Sequence, residues 1–265
     1  MFILYLILLI LYIASASYAV YSNYSNATLI AGVAGLVATG RLFLQELAKK
    51  NLRLYIAIER LKLKIKPDTT SKWWFHARYD DINSENVLNN IFDALKASRF
   101  VVKQLSKTDR EIELEIDETI RVNISLTPFS ESSFNVNHID VVSRKLEVSY
   151  GRAKEKLSAE IEPFLQLLER ELKPKSRSLI LNIEFMGNNP FFNIYIANLP
   201  PSQVEDFRVI LHIDGNSPNN ERDRVEISKS KVRITADSTT SFKELAESFI
   251  LLTPNTKLLL GEKNV

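Results

Sequence analysis

The stretch Trp73-Trp74-Phe75-His76-Ala77-Arg78-Tyr79-Asp80-Asp81 gathers more chemistry-bearing side chains than any other part of this chain. It holds both tryptophans, one of three histidines and two adjacent carboxylates. Asp80 and Asp81 could bind a cation or divide the roles of acid and base between them. The aromatics could anchor a protein partner, because large buried rings carry much of the energy of such contacts. Together with His76 and Arg78 they could instead lie at a lipid headgroup layer. A plainer reading is an aromatic plug over the first helix of the body. Asp80 and Asp81 would then stand near that helix's N-terminus, where acidic side chains offset the helix dipole.

Elsewhere the sequence offers catalysis little. With no cysteine there is neither a disulfide nor a thiolate nucleophile, a usage that suits a reducing compartment. His138 and His212 are distant from His76 in sequence, and none stands at metal-ligand spacing from another. Of only seven glycines, Gly32, Gly35 and Gly40 fall near the N-terminus, and Gly151, Gly187, Gly215 and Gly261 are too scattered for a glycine-rich phosphate loop. No G-x-S-x-G elbow occurs. The spacing Glu171-Leu172-Lys173 could suit a metal-dependent nuclease on a strand, but it falls at a helix end. The expectation is a protein that is not an enzyme and uses no cofactor and no metal.

The elements around the aromatic stretch begin with an uncharged N-terminus. Phe2 to Tyr21 is apolar over the roughly 20 residues a membrane-spanning helix requires. Ala27 to Gly40 is a second apolar run, and only the polar turn Ser22-Asn23-Tyr24-Ser25-Asn26 separates the two. Two such runs predict a transmembrane hairpin over residues 1–48. Its rival is a cleaved signal peptide, for which Ala14-Ser15-Ala16 and Ser17-Tyr18-Ala19 are candidate sites within residues 1–19. A signal peptide wants a basic n-region, however, and the first cation is Arg41. In the second run Ala27, Ala31, Gly35 and Thr39 share one helix face. Small side chains there allow helices to approach closely, either within the hairpin or between subunits of a homo-oligomer.

Arg41, Lys49, Lys50, Arg53, Arg60, Lys62, Lys64 and Lys66 follow, opposed only by Glu46 and Glu59. The whole chain is only +2, so the remainder is net acidic and the basic character is a collar. Cations flanking a span stay on the cytoplasmic side. They predict a two-pass plasma-membrane protein with both termini cytoplasmic and its lysines on anionic headgroups. Alternation of Leu61, Leu63 and Ile65 with lysines reads as a basic strand within residues 49–82, which continue into the aromatic connector. Nucleic acid is disfavoured as a partner, because the body beyond the collar is acidic.

The body predicts an α+β fold of mainly antiparallel sheet with flanking helices, in subdomains 83–174 and 175–265. A helix is expected at 85–98 with Val87, Leu88, Ile91, Phe92 and Leu95 as its apolar stripe. Strands are expected near 100–105, 111–117, 119–126 and 139–150, then a long helix disturbed at Pro163. Beyond Lys173-Pro174-Lys175-Ser176-Arg177-Ser178, strands are expected near 178–186, 191–197, 207–214, 224–228 and 231–236. A final helix opens on a capping box from Ser241 to Glu244. The leading functional expectation is a membrane-anchored, non-enzymatic protein whose cytoplasmic body binds a protein or ligand at the inner leaflet. The alternative is an oligomerising two-helix effector that permeabilises the bilayer. That layout is similar to two-helix effectors of bacterial antiviral systems in domain plan alone.

Overall fold

Period-two alternation writes most of the structure. In β1 (Thr70–Ile82) the odd positions Trp73, Phe75, Ala77 and Tyr79 are buried, and the even positions between them are only partly covered. A strand turns successive side chains to opposite faces, so this pattern makes one dry face and one wet face. The computed structural model describes residues 70–82, 86–128, 136–187, 189, 208–212 and 223–250. It also describes the single positions Ala14, Tyr18, Gly35, Ala38, Gly40, Leu42, Ile58, Leu61 and Ile65.

After β1 come α1 (Val87–Ala97), β2 (Val102–Lys107), β3 (Glu111–Ile116), β4 (Ile120–Pro128), β5 (Val136–Ser143) and β6 (Leu146–Ser149). Helix α2 follows in three stretches: Tyr150–Glu155, a π-helical Lys156–Ile161, and Glu162–Leu172. The chain closes with β7 (Ser176–Phe185), β8 (Arg208–His212), β9 (Arg224–Ser228), β10 (Lys231–Ala236) and α3 (Thr239–Ile250). The strands form one antiparallel sheet in the order β2-β3-β4-β5-β1-β7-β10-β9-β8, with β6 pairing beside β5 on β1. β1 is therefore central. It pairs with β7 from Ser71 to Asp80 on one side, and with β6 and then β5 on the other.

All three helices lie on the dry face. Val87, Leu88, Ile91 and Leu95 of α1, Phe164, Leu165 and Leu168 of α2, and Phe242, Leu245 and Phe249 of α3 join one core with the sheet. Phe164 is its hinge point, with its ring 6.1 Å from Phe75 and 6.5 Å from Phe100. Polar pairs tie the helices together. Lys243 of α3 reaches Glu162 of α2 at 3.0 Å, and Thr239 donates to Glu169. Arg177 of β7 stands 3.5 Å from Glu169 and donates to the Asp237 carbonyl at 2.9 Å. Beneath this network the Tyr79 hydroxyl is buried without a hydrogen-bond partner among the described residues. Burial pushes its pKa up, the Glu169 carboxylate adds to the rise, and Arg177 opposes it.

Several expectations are corrected. Among the described residues no helix is long and apolar enough to cross a membrane. Those helices carry one apolar stripe with charge on the other side, which packs against a sheet and does not meet lipid all round. This finding overturns the transmembrane hairpin at 1–48, the two-pass description and the plasma-membrane localisation with both termini cytoplasmic. Gly35 is helical and half-buried, whereas Ala27, Ala31 and Thr39 lie outside the described residues. Ile58, Leu61 and Ile65 are helical where a basic strand was expected. Their spacing of three and four is a helical period, which the interleaved lysines masked. The expected strand at 139–150 is two strands, β5 and β6, parted at Arg144-Lys145. The last helix is capped by Ser238, whose hydroxyl accepts from the Ser241 N–H at 3.1 Å, so Ser241 is not its cap. The strand expected at 191–197 lies outside the described residues.

Asp117 and Glu118, which join β3 to β4, both have positive φ, 49° and 59°. Thr119 N–H closes the turn on the Ile116 carbonyl at 3.1 Å. Two left-handed central residues are the mark of a type I′ turn, which favours glycine at its second place. Asp117 is also needed for its carboxylate, which accepts from the Val101 N–H at 2.8 Å. Glu118→Gly is therefore expected to stabilise the protein by about 1 kcal/mol, read as a higher urea midpoint at unchanged slope.

Candidate functional site

The wet face of the sheet carries the polar residues of the aromatic stretch. Trp74, His76, Arg78 and Asp80 point there from β1, while Trp73, Phe75 and Tyr79 are core. Asp81 is exposed at a left-handed position (φ 55°), and Lys175 stands 3.7 Å from its carboxylate. The segment read as a connector is thus the longest described strand, and its aromatics are split between two faces.

Register supplies partners that sequence separation hides. Pairing of β1 with β5 sets Arg78 opposite Asp140 and Asp80 opposite His138. Asp140 then receives both histidines: His76 Nε2 at 2.7 Å on Oδ1 and His138 Nε2 at 3.2 Å on Oδ2. An ionised carboxylate only accepts, so each imidazole donates from Nε2–H and keeps Nδ1 as its free acceptor when neutral. The His138 Nδ1 is buried with no hydrogen-bond partner among the described residues. Beside them Arg78 Nε lies 3.3 Å from Asp80 Oδ1, and Ser176 donates to Asp80 Oδ2 at 2.9 Å. Histidine oriented by a carboxylate is the arrangement of a general base. Among the described residues, however, no hydroxyl bonds either imidazole, and no group of three His, Asp or Glu is placed to hold a metal.

Further along the face, Lys145 lies over the Trp74 ring at 4.5 Å and donates to Glu184 at 3.1 Å; Lys231 flanks the same carboxylate at 3.6 Å. The Lys145 hydrogen bond, outweighing desolvation, draws the Glu184 pKa below the ordinary glutamate value. A carboxylate with a depressed folded pKa stabilises the fold above its unfolded pKa, and that contribution is lost as pH falls through the folded value. Glu184→Gln should therefore be less stable than the parent at neutral pH, with the difference closing in acid. Urea midpoints measured from pH 7 down through the glutamate range would show the two curves converging. On β9 desolvation opposes ionisation of Glu226, yet the hydrogen bond from Arg208 and the charges of Arg208, Arg224 and Arg233 hold its pKa down.

Among the described residues, two concavities bear on this face and its ends. One of about 380 Å3 lies between the end of β1 and β7, β9 and β10, with Asp80, Ser178, Arg224, Thr235 and Asp237 in its wall. The other, of about 770 Å3, lies at the opposite end of β1, where Thr119–Arg121, Arg144–Ser149 and α2 meet. Arg144 and Arg152 in this second wall were passed over in the sequence. Only the turn between β5 and β6 and the start of α2 bring them together, and no local spacing signals that. The collar cations Arg41, Lys49, Lys50, Arg53, Arg60, Lys62, Lys64 and Lys66 lie outside the described residues.

No protein-family model matches the chain, and no curated protein sequence matches it. Among solved structures, it is 13% identical to an aspartate kinase of Clostridium acetobutylicum. That match covers 68% of this chain and 32% of the kinase, at a TM-score of 0.20. The chain thus spans about a third of that enzyme's length. It is also 11% identical to the alpha and beta subunits of an aspartokinase over 72% of this chain and 97% of that one, at a TM-score of 0.15. At such TM-scores neither likeness carries an argument about fold or activity.

Proposed function

We propose that the chain is a non-enzymatic binding protein that engages a protein or a ligand across the wet face of its sheet. One observation supports the reading above others. Among the described residues Asn123 Oδ1, His138 Nδ1 and Thr235 Oγ1 are buried side-chain atoms without hydrogen-bond partners, and all belong to residues on that face. A buried polar group left unpaired costs about 1–3 kcal/mol, so these atoms favour a face whose covering side chains rearrange to admit a partner's donors and acceptors. The Val142 and Ile210 side chains, 42% and 41% exposed on the same face, add apolar contact area.

The test is to purify the full chain from its own cells and identify the species bound to it by native mass spectrometry. Hydrogen exchange with and without that species should show protection on β1, β5, β7 and β10. Arg78→Glu, on an exposed side chain in the middle of the face, should weaken binding at least about tenfold and leave the fold unchanged by circular dichroism. Protection confined to the helices, or chemical conversion of the bound species, would end this reading.

A further inference from the structure

We propose that the 770 Å3 cleft binds a small ligand carrying two or more phosphate groups, a class that includes nucleotides and pyrophosphate. The proposal stands on this cleft and does not rest on the sheet-face reading. Cationic side chains converge on it from three places: Arg121 from β4, Arg144 and Lys145 from the turn before β6, and Arg152 and Lys156 from α2. Glu147 is the carboxylate among the lining residues. Like charges gathered in one concavity repel, and the chain offsets this with glutamates that do not line it. Arg121 is paired to Glu115 at 2.7 Å, Arg144 to Glu113 at 2.5 Å and Lys156 to Glu160 at 2.5 Å.

These pairs aim the cations without consuming them. A guanidinium has five N–H donors in a planar fork and engages a carboxylate or a phosphate with two at a time. Arg121 and Arg144 are 51% and 64% exposed, and exposed pairs of this kind contribute only about 0–1 kcal/mol. A multiply charged anion can therefore recruit both. Arg152 is exposed and has no carboxylate partner among the described residues, which leaves its fork open. The Thr119 hydroxyl, bonded to both Lys156 at 3.0 Å and Glu160 at 2.8 Å, adds a polar group to the same wall.

Size and shape narrow the class. The volume falls within the range of about 300–1,000 Å3 usual for small-molecule sites, so one phosphate would leave most of it unfilled. Nucleic acid, by contrast, needs a charged track along which several phosphates can lie. The scarcity of glycine excludes a backbone phosphate cradle, and here side chains would do that work.

The test is isothermal titration of the full chain with pyrophosphate, ATP and inorganic phosphate. Pyrophosphate or ATP should bind with Kd below about 1 mM, and phosphate about tenfold more weakly or not at all. Raising the salt should weaken binding. Arg152→Glu and Arg144→Glu should each weaken it about ten- to a hundredfold, while Arg208→Glu at the far edge of the sheet should leave it unchanged. Arg152 is exposed and has no ion-pair partner among the described residues, so its replacement carries little risk to folding. Absence of binding by both polyphosphates at millimolar concentration, or an equal loss in Arg208→Glu, would overturn the proposal. So would a short single-stranded RNA that competes with ATP and binds more tightly, since that would make the cleft a nucleic-acid contact.

Discussion

Phe164→Ala is expected to lower the stability of this protein by about 3–5 kcal/mol, a large share of the 5–15 kcal/mol that holds a typical domain together. Phe164 is fully buried where α2 crosses the sheet, against Phe75 of the central strand and Phe100 beside β2. Removing the ring takes contacts from three elements at once. Refilling the space would require α2 to move, yet its Glu162 and Glu169 are tied to Lys243, Thr239 and Arg177. The cavity should therefore persist, which places the cost in the upper part of that range. The more conservative Phe164→Leu should cost appreciably less, because it leaves a smaller void. Urea unfolding followed by circular dichroism would read both, with the midpoint falling at nearly constant slope. A loss below about 1 kcal/mol for Phe164→Ala would mean that α2 does not pack on β1 as described.

Leu181→Pro should abolish the folded body altogether. Leu181 lies in β7 between Phe75 of β1 and Ile234 of β10, and it is fully buried. Proline in a central strand removes a ladder hydrogen bond, and its ring collides with the neighbouring strand. β7 pairs with β1 along its whole length on one edge and with β10 from Leu179 to Glu184 on the other, so damage there reaches both halves of the sheet. The parent should unfold in one transition seen alike by tryptophan fluorescence, which reports Trp73 and Trp74, and by circular dichroism. In the variant both signals should be lost together. Retention of the tryptophan signal alone would show that residues before and after Lys173 fold as separate units.

Local pattern carried far. The apolar stripe of Val87, Leu88, Ile91 and Leu95 yields α1 within about a turn of its observed ends. The alternations Ile112-Leu114-Ile116, Val225-Ile227 and Val232-Ile234 give β3, β9 and β10 on short-range chemistry alone. The same alternation runs through Trp73, Phe75, Ala77 and Tyr79. There the polar members Trp74 and His76 are themselves bulky, so contrast between the faces is weak and the central strand passes as a connector. At Ile58, Leu61 and Ile65 the opposite happened: interleaved lysines imitated a strand over residues that are helical.

What the sequence determined by itself is therefore the identity and period of most of the described elements and the absence of cysteine, whereas the expected fold class, with its membrane hairpin, was overturned. Those elements follow from interactions between residues a few positions apart. The juxtapositions on which function depends came only with tertiary structure. His76 and His138 meet on Asp140 because β1 pairs with β5 in one register, and a slip of one residue would send each to the opposite face. Arg121, Arg144 and Arg152 face a common cleft because the β3–β4 turn, the β5–β6 turn and α2 end at the same corner of the sheet. Register and corner are set by the burial of a whole apolar face across β1, β5 and β7. That is a sum over distant residues, and no short stretch of the chain contains it.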